Sequence, residues 1–170
     1  PTTRMISAKA AGDTIVIGAS GTDHPPPGPT NRGSAYVFTR SKEVWSQQQE
    51  IIPPAEPAGS TIFHFGDSLT MSCGTLVIGA PFSNLNGVVQ TGVAHVYMLN
   101  NGVATFQQKL VPSFPTGSAN FGQSIAMNGD TLVVGAPNNP SVPQVNPTGV
   151  VYAFVRQGAA GTWVQQARFF

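Results

Sequence analysis

The sequence predicts an all-β protein made of three tandem, four-stranded antiparallel units. Two observations carry this prediction: a hairpin pattern recurs along the chain, and two further strand-like segments follow each copy in the same order. The composition agrees, because 19 Gly and 15 Pro among 170 residues suit many short strands joined by turns. No segment has the 3.6-residue periodicity of an amphipathic helix.

The clearest element is a β-hairpin over residues 121–137. A short apolar strand leads to Asn128-Gly129, a pair that favours a two-residue type I′ turn because both residues tolerate positive φ. A β-branched strand follows, and Gly135-Ala136-Pro137 ends it. Residues 65–81 match this hairpin position for position at an offset of 56 residues, and residues 7–20 form a weaker copy. The recurrence identifies the hairpin as the start of a repeat.

Each hairpin is followed by a polar loop and two more strands. The loops lie at 20–32, 82–91 and 138–148. The third strands open with Gly and are apolar on both faces, at 33–38, 92–97 and 149–154. The fourth strands are predicted to begin with an aromatic residue followed by glutamines, at Trp45, Phe106 and Trp163. A sheet with one wet face would alternate apolar and polar residues, so these units are predicted to be covered on both faces.

Repeated four-stranded antiparallel units covered on both faces are typical of β-propeller blades. A β-helix or a β-sandwich is the structural alternative. We place the blade repeats at 4–52, 60–112 and 116–170 and treat 1–170 as a single propeller segment. Because closed propellers need about four to eight blades, three blades predict either a longer polypeptide or assembly between chains.

At these residues the chain resembles the FG-GAP repeat family, the repeat of integrin α-subunit propellers and of many surface proteins. The residues that carry the resemblance are Phe65-Gly66 with Gly79-Ala80-Pro81, and Phe121-Gly122 with Gly135-Ala136-Pro137. In the first copy, Arg4-Met5 stands where Phe-Gly is expected. The resemblance implies a propeller, an extracellular or cell-surface location, and adhesion or ligand binding across one face.

The resemblance does not extend to calcium. Integrin repeats carry loops with alternating Asp and Asn between the first two strands, as calcium requires many oxygen ligands. Here those places hold tight turns with at most one carboxylate each, at 11–13, 73–75 and 128–130. We therefore predict a calcium-free variant with no metal or cofactor. Asp13 and Asp130 are assigned to turn stabilisation by bonding to nearby backbone N–H groups, with weak cation binding as the alternative.

Composition excludes several other classes of function. Charged residues are 9% of the chain and the net charge is +1, against roughly 25% charged in an average domain, which argues against nucleic-acid partners. The sequence contains no run of about 18 apolar residues, so membrane insertion is not predicted. The single cysteine, Cys73, allows no intrachain disulfide.

Enzymatic activity is not predicted. No His-Glu-x-x-His or Gly-x-Ser-x-Gly motif occurs. His95 stands where the other repeats have Tyr36 and Tyr152, so we expect it to pack as an aromatic-like side chain with a polar tip. His64, which precedes Phe65-Gly66, is assigned a structural role.

The loops between second and third strands are the candidate binding elements. They differ between repeats in length and residues, and loops on a rigid scaffold commonly carry binding. The candidate partner-binding residues are Asp23, His24, Pro26, Arg32, Asn84, Asn86, Asn138, Asn139 and Gln144. The predicted function is a non-catalytic extracellular module that presents these loops to a protein or glycan partner. The alternatives are a structural subunit of a surface filament or shell assembled through blade edges, and an enzyme built on a propeller.

Overall fold

The computed structural model describes residues 5–23, 31–139, 149–158 and 161–170, and within these ranges the chain forms twelve β-strands and no helix. The strands are β1 (Ser7–Ala11), β2 (Thr14–Ala19), β3 (Ser34–Ser41), β4 (Val44–Ile51), β5 (Ser68–Ser72), β6 (Thr75–Ala80), β7 (Val93–Asn100), β8 (Val103–Leu110), β9 (Ser124–Asn128), β10 (Thr131–Ala136), β11 (Val150–Gln157) and β12 (Thr162–Phe169).

The strands form three four-stranded antiparallel sheets, each in sequence order from β1 to β4, β5 to β8 and β9 to β12. This result confirms the predicted fold class. The first strands pack against one another, β1 on β5 and β5 on β9, whereas the fourth strands touch only sparsely. The sheets therefore meet along their first strands and diverge outwards, which is the arrangement of adjacent propeller blades.

The hairpin turn lies one residue later than predicted. Asn128 pairs with Thr131 across the strands, so the two loop residues are Gly129 and Asp130, and the assignment to Asn128-Gly129 was wrong. The third strand fixes this position, because the N–H of Arg156 donates to the carbonyl of Asp130 at 2.9 Å. Gly129, at φ 56°, supplies the left-handed backbone at the start of the turn.

The middle blade also departs from the predicted alignment of the fourth strand. Ala104, and not Phe106, stands at the position of Trp45 and Trp163. Phe106 lies two residues further along β8, opposite Tyr97, where the two ring centroids are 5.7 Å apart. The aromatic residue of the middle blade therefore packs on its neighbouring strand instead of occupying the tryptophan position.

Each Phe-Gly pair belongs to the interface with the preceding blade. Phe65 and Phe121 are fully buried, the first between blades one and two and the second between blades two and three. Their backbone N–H groups donate to the carbonyls of Arg32 and Thr91 in the preceding blade, at 3.0 and 2.9 Å. Burying a phenylalanine side chain contributes about 1.5–3 kcal/mol, so these residues link consecutive blades.

A glycine near the end of each second strand lets the blades approach closely. It precedes Ala-Ser in the first blade and Ala-Pro in the other two. At the first interface, a Cβ on Gly18 would overlap the backbone carbonyl of Gly66, and the hydroxyl of Ser7 donates to that same carbonyl at 2.7 Å. The second interface repeats the arrangement with a hydroxyl-to-carbonyl distance of 2.5 Å. Its three residues are Ser68, Gly79 and Gly122.

Burial differs between the blades. All six residues of β6 are buried, as expected for a blade covered on both faces. In β10 buried residues alternate with exposed or half-buried ones, so the third blade is covered on one face only. The strand β10 is apolar on both faces, but only the residues of one face are buried.

Candidate functional site

The loops between second and third strands lie at the same end of the sheets as the connections between blades. Backbone hydrogen bonds join the two groups of segments, for example between Asn84 and Thr61 and from His64 to Asn31. At this end two adjoining open cavities of about 520 and 380 Å³ share Asn31, His64 and Phe82. They form one groove across the junction of the first two blades, which we call the loop groove. Its principal lining residues are Asn31, Phe63, His64, Asp67, Phe82 and Gln90.

His64 forms the centre of the loop groove. Its backbone is held at φ 55°, a left-handed conformation that is uncommon for residues other than glycine. Its N–H donates to the carbonyl of Asn31 at 2.9 Å. The ring meets Phe82 edge-on at 4.8 Å between centroids, and its Nδ1 lies 3.8 Å from Asp67 Oδ1. With 38% of its side chain exposed, His64 presents a ring edge to the groove.

The second blade junction is closed at the equivalent position. Asn120, the counterpart of His64, has nearly the same φ of 57° but is buried. Its amide donates to the carbonyl of Pro81 at 3.3 Å, and it accepts a hydrogen bond from Asn138 at 2.9 Å. The same backbone framework thus supports an open groove at the first junction and a filled, bonded site at the second.

The predicted site residues of the first loop are used within the protein. Asp23 is exposed, and its carboxylate accepts a hydrogen bond from the N–H of Asn31 at 2.6 Å. The guanidinium of Arg32 donates to the carbonyls of Pro53 and Pro54 at 2.8 and 3.1 Å. His24 and Pro26 lie outside the described residues, as does Gln144 of the third loop.

The predicted asparagines of the other two loops fall into different environments. Asn84 lines the loop groove, and its side-chain Oδ1 accepts a hydrogen bond from the backbone N–H of Gln90 at 3.0 Å. Asn86 and Asn138 are exposed. Asn139 is 2% exposed, and its amide donates to the hydroxyl of Tyr152 at 2.8 Å. Asn139 therefore faces inwards and is not available to a partner.

Sequence reasoning did not include His64, Phe63, Phe82 or Gln90 among the binding candidates. These residues come together only because the connection between blades lies beside the loops of two consecutive repeats. One internal signal pointed to the site, since His64 differs from Asn120 at an otherwise corresponding position.

A second cluster of ionisable groups is buried beside Phe65. His95 is fully buried, and its Nε2 lies 3.9 Å from Glu56 Oε1, while Lys109 forms an ion pair with Glu56 Oε2 at 2.5 Å. Burial lowers the pKa of His95, and the adjacent Glu56 only partly opposes this shift. Burial raises the pKa of Glu56, but His95 and Lys109 more than offset it, so that pKa lies below its usual value. His95 therefore sits as a neutral, packed ring, as its tyrosine counterparts suggested.

The opposite end of the sheets carries an exposed charge pair in the outer two blades. The carboxylate of Asp13 pairs with Arg40 at 2.7 Å, and Arg40 lies 5.7 Å from the ring centroid of Trp45. The third blade repeats the set, with the ion pair at 2.6 Å and the cation over the ring at 5.7 Å. Its members are Asp130, Arg156 and Trp163.

The middle blade replaces the whole set, with Gly74, Leu99 and Ala104 at these positions. The two aspartates therefore stabilise their turns through an arginine side chain, whereas bonds to nearby backbone N–H groups were predicted. Among the residues that the structure describes, no group of three or more His, Cys, Asp or Glu side chains is placed to hold a metal ion.

These features define a repeat protein whose four-stranded blades interlock through Phe-Gly segments. The family model described as FG-GAP repeat matches residues 7–38 and 104–154, so these two stretches carry FG-GAP repeats. The matches cover β1 to most of β3, and then the stretch from β8 into β11. None of the curated proteins compared with the chain matches it. In the described part of the chain, no helix has the length and apolarity needed to cross a membrane.

Proposed function

We propose that the chain is a non-catalytic extracellular binding or adhesion module that holds a protein or glycan partner in the loop groove. The observation that carries this proposal is the open groove at the junction of the first two blades, built around the strained residue His64. Residues held in sparsely populated backbone conformations cluster at binding and switch sites.

The chemistry of the loop groove suits a partially polar segment. The rings of Phe63, His64 and Phe82 provide apolar contact area, while Asn31 and Gln90 offer amide groups for hydrogen bonds. Asp67 adds one carboxylate at the wider part of the groove. An apolar concave wall with a few polar groups is typical of binding sites.

Two features support the non-catalytic and extracellular parts of the proposal. The buried cluster around His95 is separated from solvent, because that ring is fully buried and Glu56 is 7% exposed, so neither is accessible to a substrate. The surface is made polar mainly by uncharged residues, since only 9% of the chain is charged, a bias more frequent in secreted proteins. FG-GAP repeats are themselves typical of extracellular proteins.

The test is a binding screen with matched variants. The purified chain is applied to a glycan array and to a displayed peptide library, and each hit is repeated with His64→Asn and Phe82→Ala. His64→Asn installs the residue found at the equivalent position 120, so it should retain the fold while losing ring contacts. Val44→Ser, at the opposite end and 67% exposed, is the control. Hits that survive both groove variants, or that Val44→Ser abolishes, would rule out the loop groove.

A structural subunit of a surface filament or shell, assembled through blade edges, is the second candidate. The outer edge strand of the third blade favours it, because Phe169 and Phe170 at the end of β12 are 59% and 67% exposed. Sedimentation over a hundredfold range of concentration distinguishes the candidates. Ordered assembly without any added partner would favour the structural role.

A further inference from the structure

At each existing interface, one face of a blade contacts the Phe-Gly segment of the next blade. The open face of the third blade has the same residues at the equivalent positions. Ser124, Gly135 and Gly149 stand where Ser68, Gly79 and Gly92 receive the next blade. At the interface between the second and third blades, Gly92 packs against the backbone of Phe121, and Gly79 packs against the carbonyl of Gly122. The same contacts occur at both interfaces, between blades one and two and between blades two and three.

At the third position the receiving residues surround an open cavity of about 290 Å³. We call it the Phe-Gly socket, defined by Ser124, Gly135, Gly149, Val151, Phe169 and Phe170. A Cβ built on Gly135 meets only the Ser124 side chain closely, whereas the equivalent Gly18 and Gly79 each meet a backbone carbonyl of the next blade. The socket thus has the shape of the other two interfaces without their occupant.

We propose that the Phe-Gly socket binds the Phe-Gly segment of a further repeat of the same kind. The phenylalanine ring enters the apolar cavity beside Val151, as Phe121 packs in one cluster with Ala94, the equivalent residue of the middle blade. The glycine lies against Gly135, and its carbonyl accepts a hydrogen bond from the hydroxyl of Ser124. The contacts at the two existing interfaces supply this geometry.

A second copy of the chain is a poor occupant. Its first repeat would have to present Arg4-Met5 in place of Phe-Gly. At the equivalent position Gly66 has φ 93°, and a Cβ there would lie 2.6 Å from the carbonyl oxygen of Ser34. A methionine cannot adopt this position without strain, so the partner is a repeat that begins with Phe-Gly. This inference concerns a different surface from the loop groove and does not depend on it.

The test adds a covalent fourth repeat to the full chain. Residues 112–170 are appended after Phe170, so that the new Phe-Gly follows Phe169 at the spacing by which Phe121 follows Leu110, 121 − 110 = 11 residues. Tethering gives the segment an effective concentration in the millimolar range. We expect one cooperative unfolding transition with its midpoint raised by roughly 5 °C or more. Hydrogen exchange should slow in the peptide covering β9 and β10 of the original third blade.

Two variants of the extended chain decide the result. Phe→Ala within the appended Phe-Gly, or Gly135→Val in the socket, should each return the midpoint and the exchange rates of the original third blade to those of the unextended chain. An extended chain whose Gly135→Val form keeps the raised midpoint would overturn the proposal. So would an appended repeat that leaves exchange in β9 and β10 unchanged. Concentration-dependent dimerisation of the unextended chain that Gly135→Val abolishes would instead identify a second copy as the occupant.

Discussion

A matched pair of glycine substitutions tests whether the Gly-Gly approach holds the blades together. Gly79 and Gly135 occupy equivalent positions in β6 and β10, but only Gly79 faces another blade. In Gly79→Ala the new methyl group overlaps the carbonyl of Gly122 and displaces the Ser68 hydroxyl that donates to it. In Gly135→Ala the methyl group meets the side chain of Ser124, which can rotate towards solvent.

The magnitudes follow from these contacts. Overpacking against an immobile backbone costs about 1–3 kcal/mol, and the lost hydrogen bond adds about 1 kcal/mol. We therefore expect Gly79→Ala to reduce the free energy of unfolding by about 2–4 kcal/mol. Because each kcal/mol shifts the Tm of a chain of this size by about 2–4 °C, the Tm should fall by roughly 4–16 °C. Gly135→Ala should stay within about 0.5 kcal/mol of the parent.

Urea unfolding followed by far-ultraviolet circular dichroism measures both variants under identical conditions. The slope of the unfolding free energy with urea should be unchanged, so that a shifted midpoint reports stability. Equal losses in the two variants would refute the reasoning, because the cost would then come from the strand itself and not from the blade interface.

Three further outcomes are expected. EDTA should leave the Tm unchanged, because the carboxylates of Asp13 and Asp130 are paired with arginines; a clear fall would reveal a bound cation. The urea midpoint of the parent should fall as the pH drops below about 6.5, the ordinary pKa of histidine, because burial lowers the pKa of His95 and the unfolded chain takes up the proton first. His95→Tyr should remove the fall in urea midpoint that His95 causes between pH 7 and 5. A variant with the same pH profile as the parent would contradict this reasoning. His64→Asn should raise the unfolding free energy by up to about 1 kcal/mol, since asparagine tolerates positive φ better; a loss in urea unfolding would show that the ring itself is structural.

The repeated hairpin was predictable because its information is local. The strands on either side of residues 128–131 and the glycine that ends β10 follow from short-range pattern and turn chemistry. The turn position was missed by one residue because Arg156, 26 residues away, bonds to Asp130 and fixes the loop. Local propensity does not include such a tertiary bond.

The loop groove could not be derived in the same way. It depends on the contact between His64, in the connection between the first two blades, and Phe82, in the loop after β6. No spacing rule relates these two residues before the blades are assembled. The alignment of Phe106 failed for a related reason. Arg40 and Trp45 are replaced together in the middle blade, so the tryptophan position loses its aromatic residue along with the cation that packs on it.

The complete burial of β6 has a consequence for how the molecule opens. A row of blades that contact only their neighbours behaves as a one-dimensional chain of coupled units, whose stability is the sum of unit and junction contributions. The middle blade takes part in both junctions, whereas each outer blade takes part in one. Local opening should therefore start at the outer blades, and the amides of β6 and β7 should be the last to exchange with solvent. The centre of the row would then act as the persistent foldon from which the outer blades fray and re-form.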